Sequence, residues 1–442
     1  NRALTNLPWS GVVWTNPPKA MHMILPGKAA AGWRRSNIIE LRGIGIPDDT
    51  NTWEDLGNQI AVAHRDLDSF QNLTNHPILD FSLNYDEGYD LRLSYLAPLK
   101  RSAQWLSASA LYNLHEGNVS NACSDVCSIL AIVNGETEER TLVSQLFRVA
   151  IASIGVNATW EILQTTNVSD EELKKLQQPW QSLGFINSFK NAMLFERFEI
   201  LQEAERTRKS SEKFDKLWGY YFAPDAPVKL DLDQFGPIRR SLFLRKYDEL
   251  RWRWFWSYQD ELRGLRAYQV VIDATRTFEN DNSFQAIKDS MDENLTKFYS
   301  GYDSWNNLRG IFSANAVGAA LRRVVRAETA RYIVVIAIAL KRYQLKHGNY
   351  PPDLNSLTPE FLSAVPLDPV DGKPLRYKLN SDGIFLLYSV GENGVDDGGN
   401  PSLEKGVESS SYYWQNPHAL DWVWPQPATK AEIQNYYAHP PK

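Results

Sequence analysis

Near residue 350 the chain changes its hydrophobic period, and that switch constrains the fold more than any other feature. From Ser313 to His347, Val317, Leu321, Val325, Tyr332, Ile336 and Leu340 recur at steps of four and seven. That spacing lines up one face of an α-helix. Arg322, Arg323 and Arg326 are expected on the opposite face, and Gly348 and Pro351 stop the helix. Beyond it, Leu375–Leu379 and Ile384–Val390 read as short strands, with Asn380-Ser381-Asp382-Gly383 between them as a hairpin turn. One long helix therefore feeds a small antiparallel α+β module.

The helical period also dominates what comes before. Leu56, Ile60, Ala63 and Leu67 predict a helix from Trp53 to about Asn72. Leu91 to Gly135 reads as a helical hairpin, broken at His115-Glu116-Gly117-Asn118. Its A-L-Y-x-L-x-x-G-N-x-x-x-A series is a single copy, so it predicts one hairpin in a bundle and not a repeat array. Helices are expected over 138–164, from Ser169 onward, and over 186–209. Ser169-Asp170-Glu171-Glu172 supplies a cap and acids for the first turn. A second block holds 247–271 and 281–302. The expected organisation is an irregular, proline-punctuated segment 1–50, a helical domain 51–222, a second helical block 223–312, the long helix with its α+β module 313–425, and a tail 426–442. The fold class is mainly α, a helical bundle or helical-hairpin region followed by that module.

Composition excludes some functions. The 442 residues are 43% hydrophobic with a formal net charge of -6. A core is therefore expected, and a general nucleic-acid binder, which needs a basic surface, is not. The most apolar run, Ile333–Leu340, is far short of the ~20 residues of a membrane span. A membrane is expected only through a leader or anchor removed from ahead of Asn1. Cys123 and Cys127 are four apart, which fits neither a C-x-x-C redox nor a zinc pattern; they read as small buried residues on one helix, with a bridge between successive turns as the alternative. No metalloprotease, nucleophile-elbow, P-loop or dinucleotide motif occurs.

One stretch carries a resemblance. Ala339-Leu340-Lys341-Arg342-Tyr343-Gln344-Leu345-Lys346-His347-Gly348-Asn349-Tyr350-Pro351 is followed by Leu354, Leu357 and Leu362. Pro366-Leu367-Asp368-Pro369-Val370-Asp371-Gly372 comes next, then Tyr388-Ser389-Val390-Gly391-Glu392-Asn393-Gly394, Asp396-Asp397-Gly398-Gly399 and Asp421-Trp422-Val423-Trp424. In this order the elements, over about residues 330–425, resemble the major pseudopilins of type II secretion. The helix lies behind ~300 residues instead of at the N-terminus, and Arg322, Arg323, Arg326 and Arg331 interrupt it, which departs from a filament-forming pilin helix. The whole layout also resembles secreted or anchored proteins of planctomycete-type bacteria. The likeness implies an extracytoplasmic location (periplasm, cell surface or secreted) and calcium in the Gly/Asp loop.

Residue chemistry gives that loop the same reading. Calcium takes six to eight oxygens. Ser389, Asn393, Asp396 and Asp397, with Asp421 returning from the tail, are the expected ligands, and the glycines let carbonyls turn inward. A solvated turn is the plainer account of the same residues. Tyr412, Tyr413, Trp414, Trp422 and Trp424 offer large contact groups among prolines, so a protein partner or self-association is expected. The function expected is a structural or interaction protein. The alternative is polysaccharide binding or degradation through an aromatic cleft and the acids of Asp86-Glu87-Gly88-Tyr89-Asp90. Arg251-Trp252-Arg253-Trp254-Phe255-Trp256 reads as packing with surface cation–π contacts.

Overall fold

A computed structural model describes residues 53–71, 79–215, 242–297, 310–381, 383–404 and 418–426. The expected irregular segment 1–50, Tyr412, Tyr413 and Trp414, and nearly all of the tail 426–442 lie outside the described residues.

The helices are α1 (Trp53–Gln71), α2 (Leu96–His115), α3 (Val119–Gly135), α4 (Leu142–Gln164), α5 (Asp170–Ser182) and α6 (Ile186–Lys209). They continue with α7 (Leu242–Arg251), α8 (Ser257–Asp281), α9 (Gln285–Thr296) and α10 (Gly310–His347). The fold is mainly helical, with a small three-stranded antiparallel sheet near the C-terminus, as the change of period predicts. Its strands are β1 (Arg376–Leu379), β2 (Phe385–Ser389) and β3 (Trp422–Val423), in the order β1-β2-β3.

Local sequence explains the ends of several elements. Ser169 caps α5 and forms a reciprocal capping box with Glu172, which satisfies two of the N–H groups that a helix start leaves open. Thr141 caps α4 by accepting from the Ser144 N–H at 3.1 Å. Asn282 ends α8 in the left-handed region, φ 51°, a conformation Asn tolerates better than most residues. Gly383 holds φ 79° in the β1–β2 hairpin, where its N–H reaches Asn380 O at 3.0 Å. The sheet register runs Arg376 opposite Tyr388 and Leu379 opposite Phe385, then Ser389 opposite Trp422.

One hydrophobic core runs from Leu56 of α1 through the helices to Leu387 of β2 and Trp424. The helix α10 threads it. Val317, Leu321, Val325, Ile336 and Leu340 are all buried, which is the predicted face. The flank of that face carries buried cations. Arg331 is buried, pairs with Glu328 and donates to Trp180 O at 3.3 Å. Arg342 pairs with Asp170 at 2.7 Å and donates to Gln177 at 2.9 Å. These cations join α10 to α5, so in this fold they are fasteners and not interruptions. A second small cluster, Val370, Val390, Ala419 and Trp422, sits under the Asp368 turn.

Among the described residues α4 is long and apolar enough to cross a membrane by length and composition, with 61% of its apolar window buried in the fold. The sequence reading had ranked Ile333–Leu340 first. Here α4 packs against α2, α3, α6 and α10, and the buried Arg148 and Glu161 sit on it.

Candidate functional site

The Asp368-Pro369-Val370-Asp371-Gly372 turn organises the C-terminal module. Asp368 is fully buried, and its carboxylate accepts from the Val370 N–H at 2.9 Å, Ser389 Oγ at 2.9 Å and the Val390 N–H at 3.2 Å. Arg376 reaches the same carboxylate at 3.2 Å and pairs with Asp371. Burial pushes the Asp368 carboxyl up to about 6, against the pull of these donors. The turn also grips the helical body, because Pro369 O and Val370 O accept the Phe284 and Gln285 N–H groups that open α9.

The five residues expected to bind calcium fall into two groups. Ser389 points inward and is spent on Asp368. The other four lie around the Gly/Asp loop, each engaged with a donor. Asp421 accepts the Gly399 N–H at 2.8 Å and the Asn400 N–H at 2.9 Å. Burial raises its pKa, against those N–H groups. Asp396 accepts from Tyr388 Oη at 2.9 Å and the Gly398 N–H at 3.1 Å, and its pKa is lowered: burial acts upward but is outweighed by these donors and by Arg376. Asn393 donates to Asp397 at 3.0 Å and accepts the Val395 N–H at 3.0 Å. Among the described residues no group of three or more His, Cys, Asp or Glu side chains is placed to hold a metal ion. Calcium takes six to eight oxygens, so an ion here would need the loop's backbone carbonyls besides these side chains. The Asp421–Val423 segment is held to the loop by direct hydrogen bonds onto Asp421 and by the β2–β3 pairing.

Glu392 docks the start of the same loop. Its backbone O accepts from Gln285 at 2.8 Å and Lys288 at 3.0 Å, and its carboxylate pairs with Arg322 at 2.8 Å. The sequence pattern did not single out Glu392.

Two of the expected contact residues need correction. Trp422 and Trp424 are each only 4% exposed. Trp422 packs in the small cluster with Val370, and Trp424 enters the main core, its N–H donating to Leu387 O at 2.8 Å. Strand pairing has taken them inside. Among the described residues the two most exposed aromatics, Trp254 and Phe255, lie in the Arg251–Trp256 run. A π-helical turn, Trp252–Trp256, joins α7 to α8. Trp252 turns inward and donates to Asp260 at 3.3 Å, while Trp254, Phe255 and Tyr258 are 75%, 72% and 69% exposed. Tyr247, Leu250 and Leu262 on the flanking helices are exposed as well. The run reads in sequence as packing with surface cation–π contacts; Trp252 packs inward, and Trp254 and Phe255 lie on the surface.

The acids at 86–90 form a 3-10 turn, Tyr85–Asp90, capped by the Asn84 side chain. Asp90 pairs with Lys213, and Asp86 presents its backbone O to Arg206 at 2.7 Å. They do not line the cavity of about 220 Å³ found where α4, α10, the β1–β2 hairpin and residues 424–426 meet. That cavity is walled by Lys341, Gln344, Tyr350, Phe385, Trp424 and Gln164, among others.

Cys123 is buried and Cys127 half-buried, both free thiols, and burial raises both pKa values, Cys123 to about 12 and Cys127 to about 11. No protein-family model, no curated protein and no solved structure matches the chain.

Proposed function

We propose that this chain is an extracytoplasmic structural or interaction protein that self-associates through the aromatic surface at the α7–α8 junction. The observation that carries the reading is the exposure of Trp254, Phe255 and Tyr258 within five residues of one another on a helical frame. Large aromatics left in water forfeit burial worth ~25 cal/mol per Å², and contiguous patches of them mark contact surfaces. Trp and Tyr with neighbouring Arg are also the residue types that concentrate binding energy. Here Arg208 stacks over Tyr258 at 4.2 Å and pairs with Glu261 at 2.6 Å, which fixes the Tyr258 ring for contact. The same patch on a second copy supplies the complementary face that a two-fold interface requires. The extracytoplasmic location rests on the pseudopilin-like order of a long helix followed by a small antiparallel sheet.

Sedimentation velocity over a wide concentration range tests the proposal. The intact chain associates as concentration rises, and Trp254→Ser with Phe255→Ser leaves a monomer of unchanged thermal stability. A wild-type chain that stays monomeric throughout removes self-association from the account.

Calcium in the Gly/Asp loop is the reading that the arrangement favours less. The loop has two ways to be closed, by an ion or by the hydrogen bonds onto Asp421 and Asp396, and the second matches the donor geometry. The polysaccharide alternative draws no support from Asp86 and Asp90, which are placed as turn and ion-pair residues.

A further inference from the structure

Among the described residues, the cavity between α4, α10 and the sheet presents a cation without an anion. Lys341 is half-buried in its wall and has no hydrogen bond or ion pair among the described residues. Among the described residues no Asp, Glu, Arg or His lines the cavity. Tyr350 is likewise half-buried there, its hydroxyl without a partner among the described residues. By contrast Arg331 and Arg342, on the same helix, are each matched by a carboxylate. An amine that is partly desolvated and uncompensated is costly to a fold unless something else supplies the charge. Burial lowers the Lys341 pKa, and burial raises that of Tyr350.

The rest of the wall combines apolar faces with the amides of Gln164, Gln344 and Gln426. Phe385 packs edge-on to Tyr350 at 4.9 Å between ring centres. Trp424 is held in place by its backbone hydrogen bond to β2, and Gln426 is tied to Phe385 O at 3.2 Å. Pro425 O takes the Trp160 indole N–H at 2.9 Å, which anchors that wall to α4. These are preformed surfaces. At about 220 Å³ the space lies below the ~300–1,000 Å³ of drug-sized pockets, so it suits a ligand of one ring or a short chain.

We infer that this cavity binds a small organic acid, with its carboxylate against the Lys341 amine and the Tyr350 hydroxyl and its apolar body between Phe385 and Trp424. Gln344, one turn on from Lys341 and also in the wall, supplies an amide N–H to the same carboxylate. The inference is independent of self-association, since the cavity and the α7–α8 patch share no residue.

Calorimetry on the intact chain tests it, with benzoate and phenylacetate as probes and benzamide and benzyl alcohol as neutral matches. An acid is expected to bind at one site, and its neutral match at least ~10-fold more weakly, because a charged hydrogen bond of ~1.5–3 kcal/mol is lost. Lys341→Met should remove the preference for the acid, and Lys341→Arg should restore it. Tyr350→Phe and Gln344→Leu should each weaken the acid several-fold without changing the neutral match, and they carry the test if Lys341→Met does not fold. Equal binding of acid and neutral match, acid preference retained in Lys341→Met, or no acid binding up to ~10 mM would each overturn the inference.

Discussion

Glu136 is the position where a single substitution tests the electrostatics of the core most sharply. It closes α3, is fully buried, and neither carboxylate oxygen has a hydrogen-bond partner. Arg148 is its nearest compensation, but that guanidinium is already committed to Val133 O at 2.7 Å, Gly184 O at 2.9 Å and Ser188 Oγ at 2.7 Å. Burial lifts the Glu136 carboxyl from 4.5 to about 8; the attraction of Arg148 works against that lift and the nearby Glu139 adds to it. A folded-state pKa above the unfolded one means that the native protein holds a proton the unfolded chain releases. Stability is then lost as pH rises from 4.5 towards 8, at ~1.4 kcal/mol per pH unit. Between pH 4.5 and 7 that is roughly 3 kcal/mol. Glu136→Gln keeps the shape and needs no proton. Urea denaturation should show the variant equal to wild type near pH 4.5 and more stable by about 3 kcal/mol at pH 7. The gap should stop widening near pH 8. A difference that stays constant with pH would refute the reasoning, because it would mean that Glu136 ionises in the folded protein as it does in the unfolded chain.

Two further outcomes follow from the C-terminal module. Asp368→Ala leaves the Val370 and Val390 N–H groups and Arg376 without their shared buried acceptor, so it should cost about 3–5 kcal/mol and raise hydrogen exchange in β2 and β3 first. Thermal melts with and without a calcium chelator should coincide, because the loop is closed by hydrogen bonds; a melting temperature that falls on chelation would show that the loop rearranges around an ion.

The helical plan was legible because it is local. The period of three and four residues located most of the helices, and Ser169 with Glu172 placed the start of α5 to the residue. The strands β1 and β2 follow from alternation and a Gly383 turn. What local pattern does not encode is pairing across long separations. Trp422 and Trp424 look like contact residues in a polar, proline-rich tail, and only the pairing of β3 with β2 reveals that they are inside. Arg331 looks like a break in an apolar helix until Glu328 and Trp180 O are seen beside it. The Arg251–Trp256 run gave no clue to its exposed side, which depends on where Trp252 finds Asp260 and how the π turn rotates Trp254 and Phe255 outward. The cavity draws on residues 163–164, 337–350, 383–385 and 424–426, which no spacing rule would group. The acidic loop was recognised, yet the direction of its oxygens, towards N–H groups, is a backbone property that composition does not carry.

Hydrogen exchange measured on dilute and concentrated samples of the intact chain tests the central claim most directly. If the α7–α8 aromatic surface is the contact, protection gained on concentration will fall on residues 247–262, and Trp254→Ser with Phe255→Ser will abolish it. Protection that rises elsewhere and leaves 247–262 unchanged would contradict the account.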